Sequence, residues 1–170
     1  MREGKVVSVD ELAARVAALK TAGSRVAHCH GCFDLVHPGH IKHLQAARRL
    51  ADALVVTVTP DRFVDKGPGR PAFSEQLRAE SVAALECVDY AAVNAWPTAE
   101  ETIRLLRPDY YVKGQEFERL RDDTGKLQRE VAVVRETGGE MRFTHEIVHS
   151  STALLREHFG AGGARGRSGG

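Results

Sequence analysis

The segment CFDLVHPGHIKHL, residues 32–44, places His37, His40 and His43 within seven positions, directly after the apolar run RVAHCHG. Near neutral pH histidine can exchange a proton, donate hydrogen bonds to an anion or ligate a metal. Pro38 and Gly39, between the first two histidines, suit a helix start: proline brings a preset φ and glycine allows close backbone approach. His37 and His40 are three apart, so a helix beginning near Pro38 turns both toward one cleft at its positive end. An anion placed there meets two imidazoles, free backbone N–H groups and the helix dipole. Phosphate is the natural occupant.

Zinc is the rival occupant, since Cys29 and Cys32 form a C-x-x-C with His28, His30 and His37 nearby. Against it, both cysteines fall inside or at the end of an apolar strand, where side chains three apart point to opposite faces. A thioredoxin-like redox pair also fits badly, because that motif opens a helix and here the helix starts several residues later. His43 and His158 read as ordinary surface or core histidines of helices.

The elements that position the segment alternate. SVDELAARVAALKTAG carries a possible capping box, Ser8 with Glu11, then Leu12, Val16 and Leu19 on one helical face and Gly23 as a stop. Strands are predicted at Arg25–Cys32, Ala53–Thr59, Tyr90–Asn94, Asp109–Lys113 and Glu140–Thr144. Helices are predicted between and after them, at Gly39–Ala51, Ser74–Glu86, Thr98–Arg107, Lys126–Thr137 and Ser150–His158. Five such units imply an α/β fold, a Rossmann-like, doubly wound, parallel five-stranded sheet with helices on both faces. LVVTV is apolar enough for both sheet faces to be covered, which predicts a central position. In such sheets ligands bind beyond the carboxyl ends of the strands, where CFDLVHPGH falls.

Composition narrows the classes of function. The 170 residues, 42% hydrophobic and 28% charged, suit one globular domain. A formal net charge of +1 argues against a broad surface for nucleic acid or membrane, so a small-molecule partner is expected. No signal-peptide core opens the chain and no apolar run reaches the roughly 18 residues of a membrane span, which places it in the cytoplasm as an expectation. Three cysteines make no disulfide framework. The expected organisation is an N-terminal helix in residues 1–24 packed on the domain, a domain over 25–159, and a flexible tail over 160–170, GAGGARGRSGG.

Taken in order, GCFDLVHPGHIKHLQAA, KGPGRPAFSEQLRAESVAALECVDY, LRPDYYVKGQEF, GGEMRF and HSST resemble the cytidylyltransferase-like nucleotidyltransferases, with His37-Pro38-Gly39-His40 as their H-x-G-H motif. The resemblance spans roughly Arg25 to Phe159. It is nearest to the adenylyltransferase domains of ADP-heptose synthases, with glycerol-phosphate cytidylyltransferases a step further away. H-x-G-H alone is only moderately specific; the ordered set is strongly so. The resemblance implies that a substrate phosphate attacks the α-phosphorus of a nucleoside triphosphate in line and pyrophosphate leaves, with Mg²⁺ carried by the nucleotide and no protein metal ligand. Catalysis then comes from positioning and charge stabilisation.

The roles it implies are these. His37 and His40 contact the α-phosphate and its bridging oxygen, and Lys66 bridges both substrates. The backbone at Cys32 and Phe33 approaches the nucleotide, with Gly31, Asp34 and Gly39 shaping the turn. Arg78 reaches the phosphates. Ser150, Ser151 and Thr152 hold the β- and γ-phosphates at a helix N-terminus, and Gly114, Glu116 and Phe117 contact base and ribose. The resemblance also implies a homodimer.

Departures from the family pattern are visible. FTHEIVHSST places His145 near an expected arginine and His149 just before the serines, while Gln115 and Glu116 stand where an acidic pair is common. EFERLRDDTGKLQRE is longer than expected and fits an acceptor-specific lid. The sequence therefore reads as a transferase moving a nucleotidyl group from ATP or CTP to a phosphorylated sugar, polyol or similar acceptor. A non-catalytic nucleotide-binding module of a larger fusion and a zinc protein built on the Cys29–His40 cluster are the alternatives. Trp96 in NAWPT is expected to pack on its loop.

Overall fold

The structure is a computed structural model that describes residues 4–116 and 125–145. Its elements alternate: α1 (Val9–Thr21), β1 (Val26–Gly31), α2 (Pro38–Arg48), β2 (Ala53–Val58), α3 (Glu75–Ala83), β3 (Tyr90–Val93), α4 (Glu100–Leu106), β4 (Tyr110–Gly114), α5 (Lys126–Glu136) and β5 (Glu140–Thr144). All strand pairs are parallel and the sheet order is β3-β2-β1-β4-β5. This is the doubly wound arrangement expected. The strand order reverses beside β1, so the switch point opens between β1 and β4. β2 is interior and fully buried along its length, but the middle strand is β1.

Helices cover both faces. Ala27, Cys29, Leu54 and Val56 from the sheet pack with Leu44 and Ala47 of α2 and Ala79 and Val82 of α3. On the opposite face Val26, Ala53, Val55 and Ala92 meet Leu12 and Val16 of α1 and Leu106 of α4. Ile103, Tyr111, Val133 and Val134 join α4, β4 and α5 on that side. Side chains alternate along β1, so neighbouring residues enter different cores.

Three aspartates just before strands set the register. Asp52, Asp89 and Asp109 accept hydrogen bonds, each of 2.8 Å, from the backbone N–H of Arg25, Leu54 and Val26 on the neighbouring strand. Sequence pattern puts Asp109 inside a strand; its side chain instead makes this bond, and β4 begins one residue later. α1 begins as predicted at Ser8, whose hydroxyl accepts from Glu11 N–H at 3.1 Å. The reciprocal half of a capping box does not form, because the Glu11 carboxylate pairs with Arg15. The segment before α1 also joins the sheet edge, where Val6 bridges to Ala91 of β3 in parallel. The predicted helix Ser150–His158 and the tail 160–170 lie outside the described residues.

Candidate active site

The carboxyl end of β1 turns sharply into α2. Phe33 (φ 50°) and Leu35 (φ 56°) both adopt the left-handed region, a cost on the order of 1 kcal/mol each for side chains with a Cβ. The turn is held from outside. Asp34, fully buried, accepts from Arg70 Nε at 2.6 Å, from Ala72 N–H at 3.0 Å and from Phe73 N–H at 3.3 Å. Burial raises the Asp34 pKa, yet these hydrogen bonds outweigh it and hold the carboxyl below its ordinary value. Asp34 thus clamps the loop after β2 onto the loop after β1. Gly31 lets the Phe33 ring fold back, since a Cβ there would lie 3.1 Å from that ring.

α2 starts as predicted. His37 is its N-cap, with Pro38 at the first helical position, and His37 Nδ1 accepts from Gly39 N–H at 3.1 Å. A neutral imidazole that accepts at Nδ1 carries its proton at Nε2, so the cap fixes the tautomer. The His37 and His40 rings stack at 3.9 Å between centroids, and Phe33 meets His40 edge-on at 5.3 Å. Burial, followed by His37, Lys66 and His43, pushes the His40 pKa down to about 3. Lys66 is exposed on the loop beyond β2, and its field reaches His40.

Arg78, expected at the phosphates, is 1% exposed and bonds to protein acceptors. Its guanidinium donates to the carbonyls of Cys32, Thr59 (2.6 Å) and Phe73 (3.1 Å) and to Asp61 Oδ1 (2.7 Å). Carbonyls from two strand ends and one loop converge there, and a rigid five-donor fork can satisfy them together. In this conformation Arg78 braces the cleft from behind.

At the end of β4 the Glu116 carboxylate lies over Gly114, in the space a Cβ would take. Beneath it Lys113 Nζ donates to Glu130 Oε2 of α5 at 2.6 Å, and Tyr111 OH donates to Glu130 Oε1 at 3.2 Å. His43, one turn beyond His40, bonds through Nδ1 to Thr144 Oγ1 at 2.7 Å, linking α2 to β5; burial and then Lys113 push its pKa to about 4. Asn94, beyond β3, donates to the carbonyls of Trp96 (2.7 Å) and Thr98 (2.8 Å) and so fixes the Trp96 loop. Phe117, Ser150, Ser151 and Thr152 fall outside the described residues, as do residues 117–124 of the expected lid; Lys126 to Glu130, the end of that stretch, instead form the first turns of α5.

The zinc cluster does not assemble. Cys29 points into the α2–α3 core, where burial raises its thiol pKa, while His28 and His30 point to the other face and bond to Thr57. Among the described residues no three His, Cys, Asp or Glu side chains converge as a metal set. Thr57 and Thr59 escape the sequence reading. Their signal is nevertheless there: polar residues at i and i+2, His28 and His30 in β1 and Thr57 and Thr59 at the end of β2, interrupt an otherwise apolar face and bond to one another.

A cytidylyltransferase-like family model matches residues 28–157, which takes in the histidine turn and all five strand ends. The chain belongs to the cytidylyltransferase-like family. Among this family's curated members it is 42% identical over 157 residues to the bifunctional protein HldE of Bradyrhizobium sp. (strain ORS 278) and 44% identical over 154 residues to that of Gluconobacter oxydans (strain 621H). These alignments cover 90% and 89% of this chain. The chain spans about a third of the length of these curated relatives, 31% in both cases. A lipopolysaccharide core biosynthesis protein from Thermoplasma volcanium GSS1 superposes with a TM-score of 0.60 at 25% identity, covering 74% of this chain and all of that one. A pantothenate synthetase from Thermus thermophilus shares the fold, with a TM-score of 0.52 at 18% identity over 82% of this chain and 60% of that one. As a cytidylyltransferase-like domain, the chain carries its H-x-G-H residues at the switch point of the sheet.

Proposed function

We propose that the chain transfers a nucleotidyl group from ATP, or less favourably CTP, to a small phosphorylated acceptor, with a heptose 1-phosphate as the first candidate. The observation that carries this reading is the stacked His37–His40 pair at the N-terminus of α2, with His37 aimed by its cap and burial holding His40 neutral. The preference for ATP and for a sugar phosphate rests on the likeness to the HldE proteins.

In this reading an acceptor phosphate oxygen attacks the α-phosphorus, the bond to the bridging oxygen breaks, and pyrophosphate departs. Two neutral imidazoles act as hydrogen-bond donors to the α-phosphate oxygens and the bridging oxygen, where charge builds in the transition state. The N–H groups at the start of α2 add partial positive charge. Lys66, on the loop across the cleft, acts as a point charge for both substrates. The groups proposed to face the phosphates are two imidazoles, Lys66 and the N–H groups at the start of α2, which suits a nucleotide that brings its own Mg²⁺; that ion would supply charge neutralisation on the triphosphate. Arg78 and Asp34 act as positioning residues, and Ser150 to Thr152 remain the proposed holders of the β- and γ-phosphates. We also propose that the active species is a homodimer, for which sedimentation should give the mass of two chains.

The test is pyrophosphate release with Mg²⁺ and each of ATP, CTP, GTP and UTP against a pool of sugar and polyol phosphates including heptose 1-phosphate. Release with one nucleotide, reduced roughly 100-fold or more in His40→Ala, is the expected result. A folded protein that binds nucleotide tightly and releases no pyrophosphate with any of the pool would replace the enzyme by a binding module.

A further inference from the structure

On the α4–α5 side of the sheet four side chains from two strands join in one chain of hydrogen bonds. His28 Nε2 lies 2.8 Å from Thr57 Oγ1, Thr57 Oγ1 lies 2.9 Å from His30 Nδ1, and His30 Nε2 lies 3.3 Å from Thr59 Oγ1. At the inner end, His28 Nδ1 is buried with no partner among the described residues. At the outer end, Thr59 is half-buried at the carboxyl end of β2. Thr59 belongs to the cleft wall, for its N–H donates to Gly31 O at 2.9 Å and its carbonyl is held by Arg78, which also holds Cys32.

Proton counting decides how this chain runs. Thr57 has one hydroxyl proton and two imidazole neighbours, so at least one ring must donate to it. If His30 donates from Nδ1, either His28 accepts at Nε2 and carries its proton at Nδ1 as a buried N–H with no acceptor, or both rings donate and the buried Thr57 hydroxyl has no acceptor among the described residues. Orphaned buried donors are the rarer and costlier defect. The other arrangement leaves only a bare nitrogen lone pair in the core. His28 then donates to Thr57, Thr57 to His30, and His30 through Nε2–H to Thr59. Both rings are neutral, as the run requires: burial and Lys113 push His28 to about 3, and burial, His28, Lys126 and Lys113 hold His30 well below its ordinary value.

We infer that this one-way chain delivers the Thr59 hydroxyl to the cleft as a committed hydrogen-bond donor, and that the donor binds an oxygen of the phosphorylated acceptor. Thr59 receives from His30 and, among the described residues, has no protein acceptor for its own proton. Each link polarises the next, so the terminal hydroxyl is a better donor than an isolated threonine. The substrate assignment rests on the transferase reading above; the direction of the chain does not.

Long-range ¹H–¹⁵N NMR of histidine-labelled protein reads the tautomers directly, with His28→Gln and His30→Gln variants to assign the signals. Protons at Nε2 on both His28 and His30 are expected; a proton at Nδ1 on either ring overturns the one-way chain. Kinetics with heptose 1-phosphate then test the outer end. The isosteric Thr59→Val should raise the acceptor KM about tenfold and leave the nucleotide KM unchanged, with Thr59→Ser restoring it. An unchanged acceptor KM in a folded Thr59→Val protein overturns the substrate contact. A wild-type protein that turns over nothing sinks the transferase reading and the substrate contact together, while the tautomers still decide the chain.

Discussion

At the residue scale the cap and the proposed catalyst are the same side chain. His37 Nδ1 satisfies the Gly39 N–H at the start of α2, which leaves Nε2–H as its only donor. The two duties can be separated by substitution. Asparagine at position 37 retains a capping acceptor but has no donor where Nε2–H stands, so His37→Asn should keep stability within about 1 kcal/mol of wild type. Its pyrophosphate release should nevertheless fall roughly 100-fold. His37→Ala should lose both. Thermal melts beside a turnover assay separate the two variants, and equal melting losses would show that the cap bond is not what His37→Asn preserves.

The elements are joined at the cleft by buried charges rather than by apolar contact. Arg78 of α3 binds the carbonyl ends of β1 and β2, so Arg78→Met strands three part-buried carbonyls and Asp61. A loss of about 3 kcal/mol in urea unfolding is expected, together with a rise in nucleotide KM because the Cys32 turn is no longer held. If Arg78 instead touches phosphate directly, activity falls with little change in stability. The Lys113–Glu130 pair ties β4 to α5 with side-chain exposures of 7% and 0%. Lys113→Met alone leaves a buried carboxylate and should cost about 3 kcal/mol or more; adding Glu130→Gln should recover much of it. Additive losses in that cycle would show that the two side chains do not depend on each other.

Across the whole molecule, histidines dominate the response to acid. His28 and His40 are held to about 3 and His43 to about 4, against about 6.5 in an unfolded chain. Between pH 6.5 and 4 the unfolded state therefore binds protons that the folded state refuses, and stability must fall as pH falls. Each histidine contributes a slope approaching about 1.4 kcal/mol per pH unit in that window. Asp34 acts in the same direction at still lower pH, since its depressed pKa gives stability that is lost as the carboxyl protonates. Urea midpoints measured from pH 8 to pH 4 should be flat above about 7 and drop steeply below 6. A profile flat to pH 4.5 would mean that these imidazoles are hydrated.

Much of this was legible from the sequence because it follows from local rules. Apolar runs and helical periods gave the order of the described elements with boundaries within three residues, and the proline and glycine after His37 marked the start of α2. Periodicity could not show which strand is central, because Ala53–Val58 is the more continuously apolar run and only pairing puts β1 in the middle. The fate of the charged and polar groups also lay beyond sequence. Arg78 reads as a phosphate ligand, and sequence gives no sign that the carbonyls of Cys32 and Thr59 are brought to it from 46 and 19 positions away. Strand alternation already argues against His28 and His30 as metal ligands beside Cys29, and the pleat does send the cysteine to the opposite core. Sequence determined which chemistry was present and on which turn; tertiary structure decided which partner each polar group found, because hydrogen bonds depend on distances that only strand pairing sets.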